Sequence, residues 1–395
     1  MQLISKTDDL SAFCKRLANQ KLANQKLATH KFVTVDTEFL RETTYYPKLC
    51  LIQMASADEV QLIDALSPQL DLQPFYDLMA NLDVIKVFHA ARQDIEIIWK
   101  GGKIIPVPLF DTQVAAMVCG FGDQVSYEAL ASNLANAKID KSSRFTDWTR
   151  RPLSDAQIKY AASDVTHLRV VYEKLAEKLE RTNRVAWLAD EMAILNSPST
   201  YEVDPDFAYE RVKARIRKPR DLAILIEIAA WRESEAQTKD VPRGRILKDD
   251  ALGELAVSAP TTMEELSRLR GLSNGFERSK SAGDILAAVQ RGVARDLDTL
   301  PPMKTERAGA GVNGAFIQLL RVLLQGIAED ERVAPKIIAT SDDLDAIANG
   351  DESETPALQG WRRELFGNQA LALKRGDVAL TIKKGRIVTV SMLQP

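Results

Sequence analysis

Along the first 200 positions, apolar residues come in short dense runs broken by polar segments. Phe32, Val33 and Val35 form one run, and residues 49–55, 60–64 and 84–88 hold others. Runs of this length predict strands at 32–36, 49–55, 60–64 and 84–88. Elsewhere the period lengthens. Ala91, Ile95 and Ile98 fall at helical spacing, and helices are predicted near 90–99, 112–119, 126–134 and 155–181. Ser154 followed three places on by Gln157 has the form of a capping box and marks the start of the last of these. Asp111-Thr112 reads as the N-cap of the 112–119 helix, a structural role. Residues 1–200 therefore read as an α/β unit.

The pattern changes after Asn196–Pro205, a linker marked by Pro198 and Pro205. Residues 206–296 read as mainly helical, with helices separated by Pro219, Pro242, Gly244, Pro260 and Gly271. A second linker, Pro301–Gly314, is rich in Pro and Gly. Residues 315–395 weakly echo the preceding unit: Ile337-Ile338-Ala339-Thr340 and Leu344 parallel Ile246-Leu247-Lys248-Asp249 and Leu252, and Leu358-Gln359-Gly360 parallels Leu269-Arg270-Gly271. The chain closes in a predicted hairpin, 378–382 with 386–390, around Lys384-Gly385. Near the start, residues 17–31 repeat a Leu-Ala-Asn-Gln-Lys pentapeptide. Its leucines advance about 140° per step and make no single helical stripe, so no function is assigned to it.

Bulk properties narrow the class. With 395 residues, 45% hydrophobic and 27% charged, the chain fits two or three soluble domains. Cys14, Cys50 and Cys119 show no metal-type pairing, which points to reduced thiols and a cytoplasmic home. The first residues lack the apolar core of a signal peptide, and the longest apolar run, 222–231, is about half a bilayer span. No membrane role is expected, and oligomeric state is not legible. The net charge of −3 argues mildly against a nucleic-acid partner, but its distribution matters more. Residues 210–220 hold six Lys/Arg against one Glu, and further basic clusters stand at Arg150-Arg151, Arg243–Lys248 and Lys383–Arg386. These are solvated helix faces or phosphate contacts.

Four acids carry the candidate chemistry. Asp36 and Glu38, two apart on a strand, project from one face, with Thr37 pointing away. Asp94 stands in the first turns of a helix, where the dipole alone would favour an acid. Tyr160 and Asp164 lie four apart on one helix face. Carboxylates gathered together raise one another's pKa, and a protein that gathers them usually does so around a divalent cation. Oxygen ligands select hard cations, and His30, His89 and His167 form no zinc-type spacing.

Asp-x-Glu on a strand, a middle Asp and Tyr-x-x-x-Asp on a later helix resemble the tyrosine-bearing branch of the DEDD exonuclease superfamily. Val35–Phe39, Tyr45–Gln53 and the stretch from Asp147-Trp148 through Arg151-Pro152-Leu153 to Tyr160-Ala161 resemble its ribonuclease D family. Residues 246–249 and 269–272 resemble the HRDC domain, a helical module associated with nucleic-acid binding. The resemblance implies an α/β ribonuclease H-like exonuclease domain (1–200), an HRDC domain (206–296) and a second, degenerate HRDC-like domain (315–395). It implies 3′–5′ hydrolysis of RNA 3′ ends, notably of tRNA precursors, releasing nucleoside 5′-monophosphates with two Mg²⁺ or Mn²⁺ ions. Asp36 would bridge both ions, Glu38 and Asp164 would hold one, and Asp94 would help hold the other. Tyr160 would orient the attacking water, its ordinary pKa near 10 making it a weak base. Phe39 and His89, beside the acids, are candidates for contact with the terminal nucleotide. A DNA exonuclease with the same metal site, and a non-catalytic binding protein on this fold, are the alternatives. Retention of all four acids and Tyr160 argues against the second.

Overall fold

The structure, a computed structural model, describes residues 3–19, 31–301, 303, 314–350 and 353–392. Most of the pentapeptide repeat, His30 and nearly all of the second linker lie outside them. Helix α1 (Thr7–Ala18) leads into strands β1 (Lys31–Leu40), β2 (Lys48–Ala55) and β3 (Val60–Ile63). Then come α2 (Gln73–Ala80), β4 (Val84–Phe88), α3 (Arg92–Gly102), β5 (Leu109–Asp111), α4 (Thr112–Val118), α5 (Tyr127–Ala135), α6 (Asp155–Arg181) and α7 (Val185–Leu195). The five strands form one mixed sheet in the order β3-β2-β1-β4-β5. β1 is antiparallel to β2 and parallel to β4, and β4 is parallel to β5.

Two features of this sheet position the site. β1 outruns β4: their pairing ends at Thr34↔Val87, while β1 stays paired with β2 as far as Leu40↔Lys48. Asp36 and Glu38 therefore lie where one edge of β1 has no neighbouring strand, and a bulge at Glu38/Phe39 turns the strand just beyond them. The second feature is α6, whose capping box is present as read from Ser154 and Gln157. Its buried positions Ala161, Val165, Leu168, Tyr172 and Leu175 keep helical spacing and lie on the sheet. Thr34 Oγ1 donates to the Val165 carbonyl at 2.8 Å, fixing α6 against β1 one residue past Asp164.

The middle unit comprises α8 (Pro219–Lys239), α9 (Arg243–Ile246), α10 (Asp249–Ser258), α11 (Met263–Ser267) and α12 (Lys280–Ala294). It has its own core, in which Leu225, Ile228, Leu252, Leu255, Ile285 and Val289 meet. The last unit comprises α13 (Gly314–Glu331), α14 (Pro335–Ile338), α15 (Ser341–Asn349), α16 (Gly360–Arg362) and α17 (Asn368–Arg375), the last two joined by a π-helical turn. The hairpin β6 (Val378–Lys383) and β7 (Arg386–Ser391) follows. The echo between the two units is physical. α9 and α14 are each one turn long and end on an extended residue, Leu247 or Ala339, before the next helix begins. Leu252 and Leu344 are buried at matching places. No helix among the described residues is long and apolar enough to cross a membrane.

Candidate active site

Strand alternation puts Asp36 and Glu38 on the face of β1 that meets α6, and helical spacing puts Tyr160 and Asp164 on the face of α6 that meets β1. The outcome is a cluster: Asp36, Glu38 and Asp164 bring carboxylate oxygens within 4.8 Å of one another. Asp94 stands one step back. It is buried at the start of α3, and its Oδ1 accepts from Thr37 Oγ1 at 2.5 Å. Thr37 thus points away from the Asp36/Glu38 pair, as strand alternation requires, and holds the fourth acid. Tyr160 stands one helical turn before Asp164 and lines the same cleft, and its ring lies 6.1 Å from that of buried Trp148.

Burial and crowding dominate the electrostatics. Desolvation first, then mutual repulsion, pushes Glu38 up to about 10 and Asp164 to about 8. Desolvation lifts Asp36 to about 7, and Asp94 is raised well above the ordinary range by burial and by Asp36. Burial and the neighbouring acids also raise the Tyr160 phenol, so it serves as a hydrogen-bond donor at neutral pH and not as a base. These acids are costly to ionise unless a cation joins them. Gln53 agrees with that. It sits directly opposite Asp36 in the β1–β2 register and is fully buried, yet neither end of its amide has a partner among the described residues. An idle buried amide beside a carboxylate suits a site built around a solvated ion. The oxygen-only donor set fits a hard divalent cation.

The acids floor a cleft of about 670 Å³, within the range of ligand sites. Phe39 and His89 both line it. His89 Nδ1 lies 3.0 Å from Thr112 Oγ1, and burial lowers its pKa, keeping the ring neutral. Asp111 caps α4 as read from the sequence and does more besides. Its Oδ1 and Oδ2 accept from the backbone N–H groups of Ala90 and Ala91 at 3.1 and 2.8 Å. That holds Ala90 at φ +57°, a turn that L residues rarely adopt, and so aims His89 and Asp94 at the cleft.

Other cleft residues went unread in the sequence. Lys141, Arg144 and Phe145 line its mouth. The signal available was one phenylalanine inside a polar run, Lys141-Ser142-Ser143-Arg144-Phe145-Thr146-Asp147. Several arginines proposed as phosphate contacts are occupied instead. Arg151 donates to the carbonyls of Cys50 and Trp148 and to Asp64, and Arg220 donates to the last carbonyls of α12. Arg243 pairs with Glu233.

Comparison with known proteins agrees with this geometry. Residues 1–180 match the family model of a 3′-5′ exonuclease, and residues 221–289 match the HRDC domain. Ribonuclease D of Nitrobacter hamburgensis is 54% identical over 391 residues, covering 99% of each chain. That of Granulibacter bethesdensis is 48% identical, covering 98% of this chain and 96% of its own. The crystal structure of Escherichia coli RNase D, described as an exoribonuclease involved in structured RNA processing, superposes with a TM-score of 0.81 at 26% identity, covering 95% of this chain and 98% of that one. With an acid-floored cleft on the exonuclease sheet and a helical HRDC unit behind it, the chain belongs to the ribonuclease D family of 3′–5′ exoribonucleases.

Proposed function

We propose that the cleft removes nucleotides one at a time from RNA 3′ ends, releasing nucleoside 5′-monophosphates with the help of two divalent cations, Mg²⁺ or Mn²⁺. The convergence of Asp36, Glu38 and Asp164 within 4.8 Å is the observation that carries this reading. Bound cations would polarise an attacking water and stabilise the leaving oxygen. Asp36 would serve both ions, Glu38 and Asp164 would hold the one on the water side, and Asp94, steadied by Thr37, would help hold the other. Tyr160 orients the water by donation and does not take its proton, because its pKa is raised.

The same proposal divides the chain by task. Residues 1–200 cut and 206–296 hold the RNA, while 315–395 pack against the exonuclease core. Precursor tRNAs are proposed as substrates on family membership alone. Three buried free cysteines fit a reducing, cytoplasmic setting.

The test offers identical single-stranded RNA and DNA with Mg²⁺ and resolves product length over time. RNA should shorten stepwise from its 3′ end. Asp36→Ala or Asp164→Ala should abolish cleavage while RNA binding persists, and Tyr160→Phe should slow it about a hundredfold or more. Full cleavage by Asp36→Ala would remove the site from the reaction.

A further inference from the structure

The mouth of the cleft carries a side-chain pair that packing does not explain. Phe145 is 90% exposed, and the Arg144 guanidinium lies 5.1 Å from its ring centroid. Both line the same cleft as the acids. A large apolar ring left in water contributes nothing to the core, and a mobile tip would be the ordinary place for one. Here the turn is pinned from both sides. Ser143 and Trp148 are buried on either side of the pair. Thr146 Oγ1 donates to the Ser143 carbonyl at 2.7 Å and accepts from Gln157 Nε2 at 3.0 Å. Gln157 is the residue whose Oε1 caps α6. One side chain therefore sets the start of the helix bearing Tyr160 and Asp164 and also fixes the turn that presents Phe145. Lys141, the other cation here, is engaged by Glu128. Among the described residues no carboxylate forms an ion pair with Arg144, and its charge reaches Glu38 and Asp164.

We propose that Arg144 and Phe145 grip the strand just upstream of the bond that is cut, the guanidinium on a phosphate oxygen and the ring stacked on a base. This rests on the reading of the cleft as the hydrolytic site and adds its specificity for unpaired nucleotides. Aromatic faces suit single strands because every base offers a π surface, while a planar guanidinium matches phosphate oxygens. A cationic group at the rim also offsets the repulsion between a polyanion and an acidic floor. Bases held in a duplex could not stack on Phe145, so an unpaired 3′ segment is required.

The experiment walks a single abasic residue across the last four positions of a short RNA and measures kcat and KM with Mg²⁺. For the wild type, one abasic position should raise KM about tenfold, in line with the loss of one stacked base. Phe145→Ala should raise KM about tenfold on the intact strand, leave kcat and the melting temperature unchanged, and be blind to that abasic position. Phe145→Trp should restore the wild-type pattern, and Phe145→Leu should not. Arg144→Ala should make the plot of log KM against log salt shallower by about 0.7, the value of one phosphate contact on a single strand. Equal sensitivity of Phe145→Ala and wild type to every abasic position would overturn the grip. Cleavage that survives Asp36→Ala would instead overturn the reading of the floor, whatever Phe145 does.

Discussion

Two helical units flank the exonuclease sheet, alike in their short-helix signature and opposite in how they attach. The HRDC unit keeps its own core and touches the sheet domain through polar groups. Tyr45 and Tyr46, in the loop after β1, donate their backbone N–H groups to Asp240 Oδ1 at 3.1 and 2.9 Å. The Tyr45 hydroxyl donates to Glu233, which is 1% exposed, and Arg243 meets both oxygens of that carboxylate at 2.5 and 2.6 Å. The last unit shares a continuous apolar core with the exonuclease domain, where Leu320, Ile337 and Phe366 belong to the same cluster as Val118 and Leu188. Trp187 and Trp361 stack at 4.2 Å and 6°. The Arg332 carbonyl lies 2.0 Å from where a β-carbon on Gly120 would stand, and Gly120 itself has φ +78°. A polar latch is directional and depends on complete pairing. A shared core is cooperative and insensitive to charge. The HRDC unit is therefore held on the exonuclease by directional pairing, and the last unit by a common core.

The comparison breaks hardest at Phe366. Phe366→Ala should cost about 3–5 kcal/mol by urea denaturation, and the exonuclease and final units should lose it together in one transition. Separate transitions would mean that the shared core is only contact. Arg243→Ala comes next, because it leaves the buried Glu233 carboxylate without a cation, with only the Tyr45 hydroxyl donating to it, at a cost of about 3 kcal/mol. It should release the HRDC unit to limited proteolysis near residues 201–218 while the exonuclease core stays resistant. Tyr45→Phe should do the same more mildly, by about 1 kcal/mol.

The finest discrimination comes from pH, because the two regions carry opposite signs. Arg243 and Tyr45 hold Glu233 below its usual range against the effect of burial. The stability it contributes is full above the unfolded value near 4.3 and is lost as pH falls through the lower folded value. The site acids are raised, to about 7 for Asp36 and about 8 for Asp164. Without cations the folded state then binds more protons than the unfolded one, and stability falls as pH climbs from about 4 towards 8. Calorimetry of the metal-free chain should show the exonuclease transition moving down between pH 5 and 8, and millimolar Mg²⁺ should flatten that slope. An unmoved transition would mean that the acids are better solvated than their burial implies.

How much of this the sequence disclosed follows the range of the interactions. Period-two alternation gave the β1 pair, and the Ser154/Gln157 spacing gave the start of α6, because both rest on contacts within four residues. β5 went unread, since three residues, Leu109–Asp111, carry too little pattern to register. Asp111 was legible as a cap and illegible as the support of Ala90 and Ala91, twenty residues away. Charge at Arg151, Arg220 and Arg243 was plain, but a run of cations does not reveal which carbonyl or carboxylate awaits each one. The joint of the final unit was hidden for the same reason. The Pro/Gly-rich segment before it read as a linker, and a linker does not reveal that the apolar faces beyond it meet the exonuclease core.

The paired indoles of Trp187 and Trp361 have a practical side. Chromophores stacked this closely couple in their electronic transitions, and only five tryptophans share the chain. Parting the final unit from the rest would therefore alter near-ultraviolet dichroism and emission without any added label. The joint reports on itself.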